Sequence, residues 1–207
     1  PKYDFIKELN DKDMEDIESK YGVAKGIKLI TVVTPDLPWE KTYVTSIFQS
    51  LKAMANIKDI KVVLKLHPNE TILNKNMMES LVRKFQLNAD VVMEENSSKL
   101  IYASDLVITY GSTLTYECIL MNKNTVLINP AYKIEDPYVK EGLLRQCLSD
   151  AELKKEIQSC LGENKKTMNQ AMRKRFIEKY LYSDDGKASE RAVDEIIKVL
   201  NSKFNIK

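Results

Sequence analysis

The sequence is poor in the residues that mark specialised protein classes. It has one histidine, three cysteines, six glycines and six prolines in 207 residues. An odd number of widely spaced cysteines without a CxxC pair argues against a disulfide framework and a cysteine zinc site. No apolar run approaches the roughly 20 residues that span a bilayer, and the N-terminus lacks the charged-then-apolar pattern of a signal peptide. We therefore expect a soluble protein of the reducing cytoplasm.

Neither sign of charge is in large excess. The 32 basic and 30 acidic residues leave a net charge of +2, and this balance argues against a nucleic-acid partner. The one dense basic run, Lys165 to Lys179, carries Met168, Met172 and Phe176 at helical spacing, which is typical of a solvated amphipathic helix. With 43% apolar and 30% charged residues the composition is that of a globular protein, large enough for one domain or for one and a half.

From Gly26 onward, short β-branched runs alternate with helical patterns. This alternation predicts an α/β fold, a Rossmann-like doubly wound parallel sheet of five to six strands. The predicted strands are Ile27 to Val33, Lys61 to Leu66, Val91 to Met93, Leu106 to Thr109 and Thr125 to Ile128. The predicted helices between them are Trp39 to Ala55, Ile72 to Phe85, Ser97 to Ala103 and Thr113 to Met121.

After Pro130 the pattern predicts a tail made only of helices. These are Asp136 to Leu148, Asp150 to Leu161, Glu163 to Tyr180 and Lys187 to Phe204. Residues 1–20 are expected to form a linker helix and residues 21–207 one ligand-binding domain. Since Pro1 is not an initiator residue, we expect the chain to begin inside a longer protein.

The loop after the fourth predicted strand has the strongest pattern for a ligand site. Gly111 allows a tight turn, and the hydroxyls of Ser112 and Thr113 meet the free N–H groups of the next helix start, which favours an anion such as a phosphate. Glu117 lies one helical turn after Thr113, where its carboxylate could accept hydrogen bonds from two ribose hydroxyls. The alternative is an ordinary helix cap with Glu117 as a solvated first-turn acid.

The loop after the second strand contains His67, the only histidine of the chain, followed by Pro68. Its imidazole could bind a phosphate when protonated or act as an acid or base near neutral pH. The alternative is that Pro68 ends the strand and His67 packs locally.

Two further loops follow strands and carry polar side chains. Thr34 and Asp36 come after the first strand, and Trp39 of the same loop could stack on a ligand or cover the sheet. Ser97 and Ser98 come after the third strand, where either hydroxyl could cap the next helix. Backbone amides of that loop could contact the edge of a base.

Taken together, these residues resemble the C-terminal, donor-binding half of the GT-B glycosyltransferases. This superfamily includes the non-hydrolysing UDP-N-acetylglucosamine 2-epimerases and the capsule or wall polymer transferases. The matching pieces cover essentially the whole chain and are PKYDFIKE, LKLHPNE, ASDLVITYGSTLTYECILMNKNTVLIN and DGKASERAVDEIIKVL.

The resemblance implies roles for the candidate residues. Gly111, Ser112 and Thr113 would bind the diphosphate of a UDP- or CMP/CDP-type nucleotide sugar, and Glu117 would bind its ribose. His67 would face the phosphate or the sugar as a catalytic residue, and the segment from Ser97 to Leu100 would border the base.

The resemblance also implies what accompanies this chain. An acceptor-binding N-terminal domain would complete the enzyme, which would act in surface polysaccharide or glycoconjugate synthesis, with peripheral membrane association of the parent protein. Neither a metal nor a separate cofactor is expected, because GT-B enzymes generally bind their donor without a metal.

Two departures from the family pattern keep alternatives open. Pro35 to Trp39 replaces the His-Arg-x-Glu-Asn run of the epimerases, and Tyr110 precedes a single Gly111 where the family has paired glycines. The first hypothesis is a transferase donor half. The second is an epimerase or hydrolase that uses acids such as Asp36 or Glu94, and the third is a non-catalytic interaction module.

Overall fold

A computed structural model describes residues 2–34, 41–128, 135–162 and 167–204. Its strands are β1 (Lys28–Val33), β2 (Ile60–Lys65), β3 (Ala89–Val92), β4 (Leu106–Thr109), β5 (Thr125–Ile128) and β6 (Arg145–Cys147). A 3-10 helix, Asp4–Glu8, comes first. The α-helices are α1 (Asp11–Tyr21), α2 (Lys41–Met54), α3 (Ile72–Lys84), α4 (Ser97–Ala103), α5 (Leu114–Leu120), α6 (Pro137–Lys140), α7 (Asp150–Leu161), α8 (Gln170–Tyr180) and α9 (Ala188–Phe204).

The six strands form one parallel sheet in the order β3-β2-β1-β4-β5-β6. Strand β1 lies between β2 and β4, with Val33 opposite both Lys65 and Thr109. The chain therefore winds outward first in one direction and then in the other, and the order reverses at β1 and β4. The predicted doubly wound α/β fold is confirmed. In such sheets the reversal leaves a crevice at the carboxyl ends of the strands.

The central strands are buried on both faces, which explains their continuous apolar runs. Every residue of β4 and β5 is buried, and in β1 and β2 only Lys28 and Lys61 are partly exposed. The hydroxyls of Thr31 and Ser104 are buried but bond each other over 2.6 Å. Helices α2 and α7 cover one face of the sheet together with Met78 of α3.

The prediction of a helix from Asp136 to Leu148 is wrong. Only Pro137–Lys140 is helical there, and Arg145–Cys147 is the sixth strand. Gly142, with φ of 69°, turns the chain after α6, and the strand then pairs in parallel with Val126–Ile128. Pairing with β5 thus overrides the local helical pattern. Helix α8 begins at Gln170, later than the predicted Glu163.

Helix α1 packs against the body of the domain. Its Ile17 and Tyr21 are buried with Leu29, Val63 and Leu100. An Asn10 capping box starts the helix, and Gly22 in the left-handed conformation ends it. The proposed division at residue 20 stays a prediction.

Within the described residues, no helix is both long and apolar enough to cross a membrane. The same part of the chain holds no group of three acidic, histidine or cysteine side chains placed to bind a metal. Asp36 and Trp39 lie outside the described residues.

Candidate functional site

The candidate site lies at the carboxyl edge of the sheet, where the strand order reverses. Thr34 follows β1 there and is buried, and its Oγ1 accepts a hydrogen bond of 2.8 Å from the backbone N–H of His67. The Thr34 N–H in turn donates to the carbonyl of Lys65 over 3.1 Å. The structure thus brings together two of the residues that the sequence singled out.

A tight turn fixes the ring of His67. The Glu70 N–H donates to the His67 carbonyl over 3.0 Å, and the Asn69 N–H donates to His67 Nδ1 over 3.2 Å. Because Nδ1 accepts a hydrogen bond, the proton of the neutral imidazole is assigned to Nε2. Glu70 is buried and accepts a hydrogen bond from the Asn74 side chain, which holds the turn against α3. This tautomer suits a hydrogen-bond donor better than a general base.

The loop after β4 is a turn that needs its glycine. Gly111 has φ of 93°, in the region that favours glycine. Tyr110 before it is buried and bonds Ser50 of α2 over 3.0 Å, so this residue takes the place of a second glycine and anchors the loop. The Leu114 N–H donates to Ser112 Oγ over 3.2 Å, while Thr113 makes no capping bond through its side chain. The capping interpretation therefore applies to Ser112.

Glu117 is a buried acid and not a solvated first-turn residue. Its side chain comes from the first turn of α5, and the residue is 5% exposed. Ser98 of α4 donates to Glu117 Oε2 over 2.7 Å, and Oε1 accepts no hydrogen bond from the described residues. Burial raises the pKa of Glu117, and the Ser98 hydrogen bond opposes this rise. The result is a carboxylate with one oxygen held and the other available to a ligand.

Helix α4 is fixed independently of Glu117. Asn96 caps it by accepting from the Lys99 N–H over 3.0 Å, and Ser97 is its first helical residue. Glu95 joins this start to α1, because its Oε2 accepts from Tyr21 over 2.5 Å and from Lys20 over 2.6 Å. Burial alone would raise the pKa of Glu95, but the hydrogen bonds from Lys20, Tyr21 and the Asn96 backbone together with the Lys20 charge lower the pKa overall. The helix that carries Ser98 is thus held in place by its own cap and by contacts with α1.

The predicted residues form two bonded pairs at one edge of the sheet, Thr34 with His67 and Ser98 with Glu117. Sequence reasoning missed Tyr110 as an anchor and Lys65 as a buried cation. The signal for Lys65 was present, since a charged residue interrupts the apolar run from Val62 to Leu66.

Comparison with known proteins gives a family for almost the whole chain. A family model described as CDP-Glycerol:Poly(glycerophosphate) glycerophosphotransferase matches residues 1–198. A search of curated protein sequences gives no match.

Several solved structures share the fold. The wall teichoic acid polymerase TagF aligns with a TM-score of 0.64 and 16% identity over 98% of this chain and 51% of its own, and TagF has also been solved with CDPG. The S. aureus MnaA–UDP structure aligns with a TM-score of 0.64 and 18% identity over 96% of this chain and 53% of its own. A glycosyltransferase from Rickettsia africae aligns with a TM-score of 0.67 and 16% identity over 95% of this chain and 55% of its own. The chain spans about half the length of these structures and has the fold of one GT-B half.

Proposed function

The chain belongs to the CDP-glycerol:poly(glycerophosphate) glycerophosphotransferase family, and from this membership we propose that it binds the CDP-glycerol donor of such a transferase. The observation that carries the proposal is the buried Glu117, whose Oε2 is held by Ser98 while Oε1 accepts no hydrogen bond from the described residues. A desolvated carboxylate of this kind favours a ligand that donates hydrogen bonds, and paired ribose hydroxyls do so.

The diphosphate is proposed to lie at the Gly111 turn. The turn carries the hydroxyls of Ser112 and Thr113, and Ser112 is partly buried while Thr113 is exposed. Thr113 therefore is the hydroxyl more open to a ligand, and Ser112 shapes the turn. The fold supports this position, because ligands of doubly wound sheets bind where the strand order reverses.

His67 is proposed to stabilise the donor diphosphate during transfer. In glycerophosphate transfer an acceptor hydroxyl forms a bond to the β-phosphorus and loses its proton, while the bond from that phosphorus to the bridging oxygen breaks and CMP leaves. An imidazole that carries its proton on Nε2 can donate to a phosphate oxygen as negative charge grows on the leaving group. The acceptor hydroxyl needs another base, which we place in the acceptor-binding half of the enzyme.

Isothermal titration calorimetry with CDP-glycerol, CDP, UDP and UDP-N-acetylglucosamine tests the proposed donor. We expect this chain to bind the two cytidine compounds and to discriminate against the uridine compounds. Binding without release of CMP is the expected behaviour of the donor half, and the full enzyme with its acceptor should release CMP. A flat titration with CDP-glycerol under conditions where the chain is folded would overturn the proposal.

A further inference from the structure

Lys65 is a charged residue in the interior of the sheet. It is the last residue of β2, it is 3% exposed, and it lies opposite Val33 of β1 and Val92 of β3. Taking an ammonium group out of water costs free energy unless polar partners replace the water. The partners of Lys65 therefore show what keeps it there.

Those partners are two backbone carbonyls. Lys65 Nζ donates to the Leu66 carbonyl over 2.6 Å and to the Met93 carbonyl over 2.9 Å. Among the described residues, no carboxylate lies within ion-pair distance of Nζ. Burial lowers the pKa of Lys65, and the charge of Glu95 partly offsets that effect. The Lys65 side chain thus forms hydrogen bonds to the backbone and no ion pair with the described residues.

The two carbonyls belong to the two loops that carry site residues. Leu66 directly precedes His67, and Met93 directly precedes the segment that leads through Asn96 to Ser98. Between these loops the described backbone adds one ladder bond beyond the end of β2, from the Leu66 N–H to the Val92 carbonyl over 2.8 Å. The Lys65 side chain adds a second connection between the two loops through its two charge-assisted hydrogen bonds, which are stronger than neutral ones.

We propose that Lys65 is a positioning residue of the donor site, whose ammonium holds the His67 loop and the loop leading to Ser98 at a fixed separation. Prearranged loops let the diphosphate and ribose contacts form together, without the cost of ordering either loop on binding. The inference rests on the proposed function, since it names what orients that site.

The test replaces Lys65 by methionine, which has a similar length and no charge. We expect Lys65→Met to raise the dissociation constant for CDP-glycerol by about tenfold or more. We expect its Tm to stay within about 5 °C of the wild type, because the lost hydrogen bonds are offset by relief of the buried charge. Amide hydrogen exchange followed by mass spectrometry should rise in peptides covering 66–70 and 93–98 and not elsewhere.

Lys61→Met is the matched control. Lys61 lies on the same strand at its opposite end and pairs with Asp90 over 2.8 Å, so its removal should change neither the affinity nor the exchange of the two loops. Wild-type exchange in both loops of Lys65→Met would overturn the inference, as would unchanged affinity for CDP-glycerol. If the wild type fails to bind CDP-glycerol, the proposed function fails, and the exchange measurement still decides whether Lys65 clamps the loops. Lys65→Gln, which keeps one donor group, replaces the methionine variant if that does not fold.

Discussion

Glu117, the residue proposed to bind the ribose, carries a cost to the fold. The side chain is 5% exposed, and burial raises its pKa because the charged form is poorly solvated there. Glu117→Gln keeps the shape and removes the charge, so we expect the dissociation constant for CDP-glycerol to rise about tenfold, as for loss of a charge-assisted hydrogen bond. The Tm should stay unchanged or rise. Calorimetric titration and thermal unfolding measure the two effects.

A second buried acid serves as the control for Glu117. Glu156 of α7 accepts from Arg145 over 3.0 Å at the start of β6, the amino edge of the sheet. Glu156→Gln should therefore leave nucleotide affinity unchanged. Equal loss of affinity in both variants would show that a general effect on the fold and not the ribose contact is being measured.

The raised pKa of Glu117 also predicts a pH dependence. Because the folded pKa lies above the ordinary value of 4.5, the folded protein takes up this proton at a higher pH than the unfolded chain does. Lowering the pH through that region thus favours folding through Glu117, while it removes the carboxylate that we propose binds the ribose. As the pH is lowered, the affinity of the wild type for CDP-glycerol should begin to fall before the pH reaches 4.5. The Glu117→Gln variant should lack this loss.

At the scale of elements, α1 and α4 form a braced pair beside the site. Tyr21 and Lys20 of α1 bond Glu95 before α4, and Asp13 pairs with Lys99 over 2.6 Å. Tyr21 is buried, and burial together with the Glu95 charge raises the pKa of its hydroxyl. The hydroxyl therefore stays protonated and donates to Glu95 at neutral pH.

Removal of that hydroxyl should loosen the brace. We expect Tyr21→Phe to lower the free energy of unfolding by about 1–2 kcal/mol, since a hydrogen bond to a charged, poorly exposed group is lost. Urea denaturation measures this loss. Tyr102→Phe on α4 is the control, because the Tyr102 hydroxyl makes no hydrogen bond with the described residues, and it should change stability little. An equal effect of both substitutions would contradict the brace.

At the scale of the whole molecule, the two ends of the chain are joined. The Asp4 carboxylate accepts from the backbone N–H groups of Ala188 over 3.1 Å and Ser189 over 2.7 Å, and so caps the start of α9 from the far end of the sequence. Lys7 lies so close to Gly186 that a Cβ there would come within 2.8 Å of Lys7 Cγ. Close packing and capping thus join the Asp4–Glu8 helix to α9.

The cap predicts a stability contribution that depends on pH. Hydrogen bonds from the Ser189 side chain and backbone lower the pKa of Asp4 below 3.8, so its contribution is present at neutral pH and is lost as the pH falls through the lowered pKa. Asp4→Ala should therefore lower the Tm at pH 7 and raise amide exchange at the start of α9, and the Tm difference should close in strong acid. The exposed Glu15→Ala on α1 should show neither effect.

The sequence by itself determines the type of sheet in this protein and the edge at which the candidate site lies. Alternating β-branched runs and helical patterns predict a doubly wound sheet because buried parallel strands must be apolar throughout, and the residues after each strand mark the site because the carboxyl ends share one edge. The sixth strand and the contacts between distant side chains were decided only by tertiary packing. The strand at Arg145–Cys147 depends on its neighbour β5, the pairing of Ser98 with Glu117 joins residues 19 positions apart, and the cap at Asp4 joins residues 184 positions apart. Contacts between distant residues leave no local pattern, and the burial that shifts the pKa of Glu117 exists only once those contacts form.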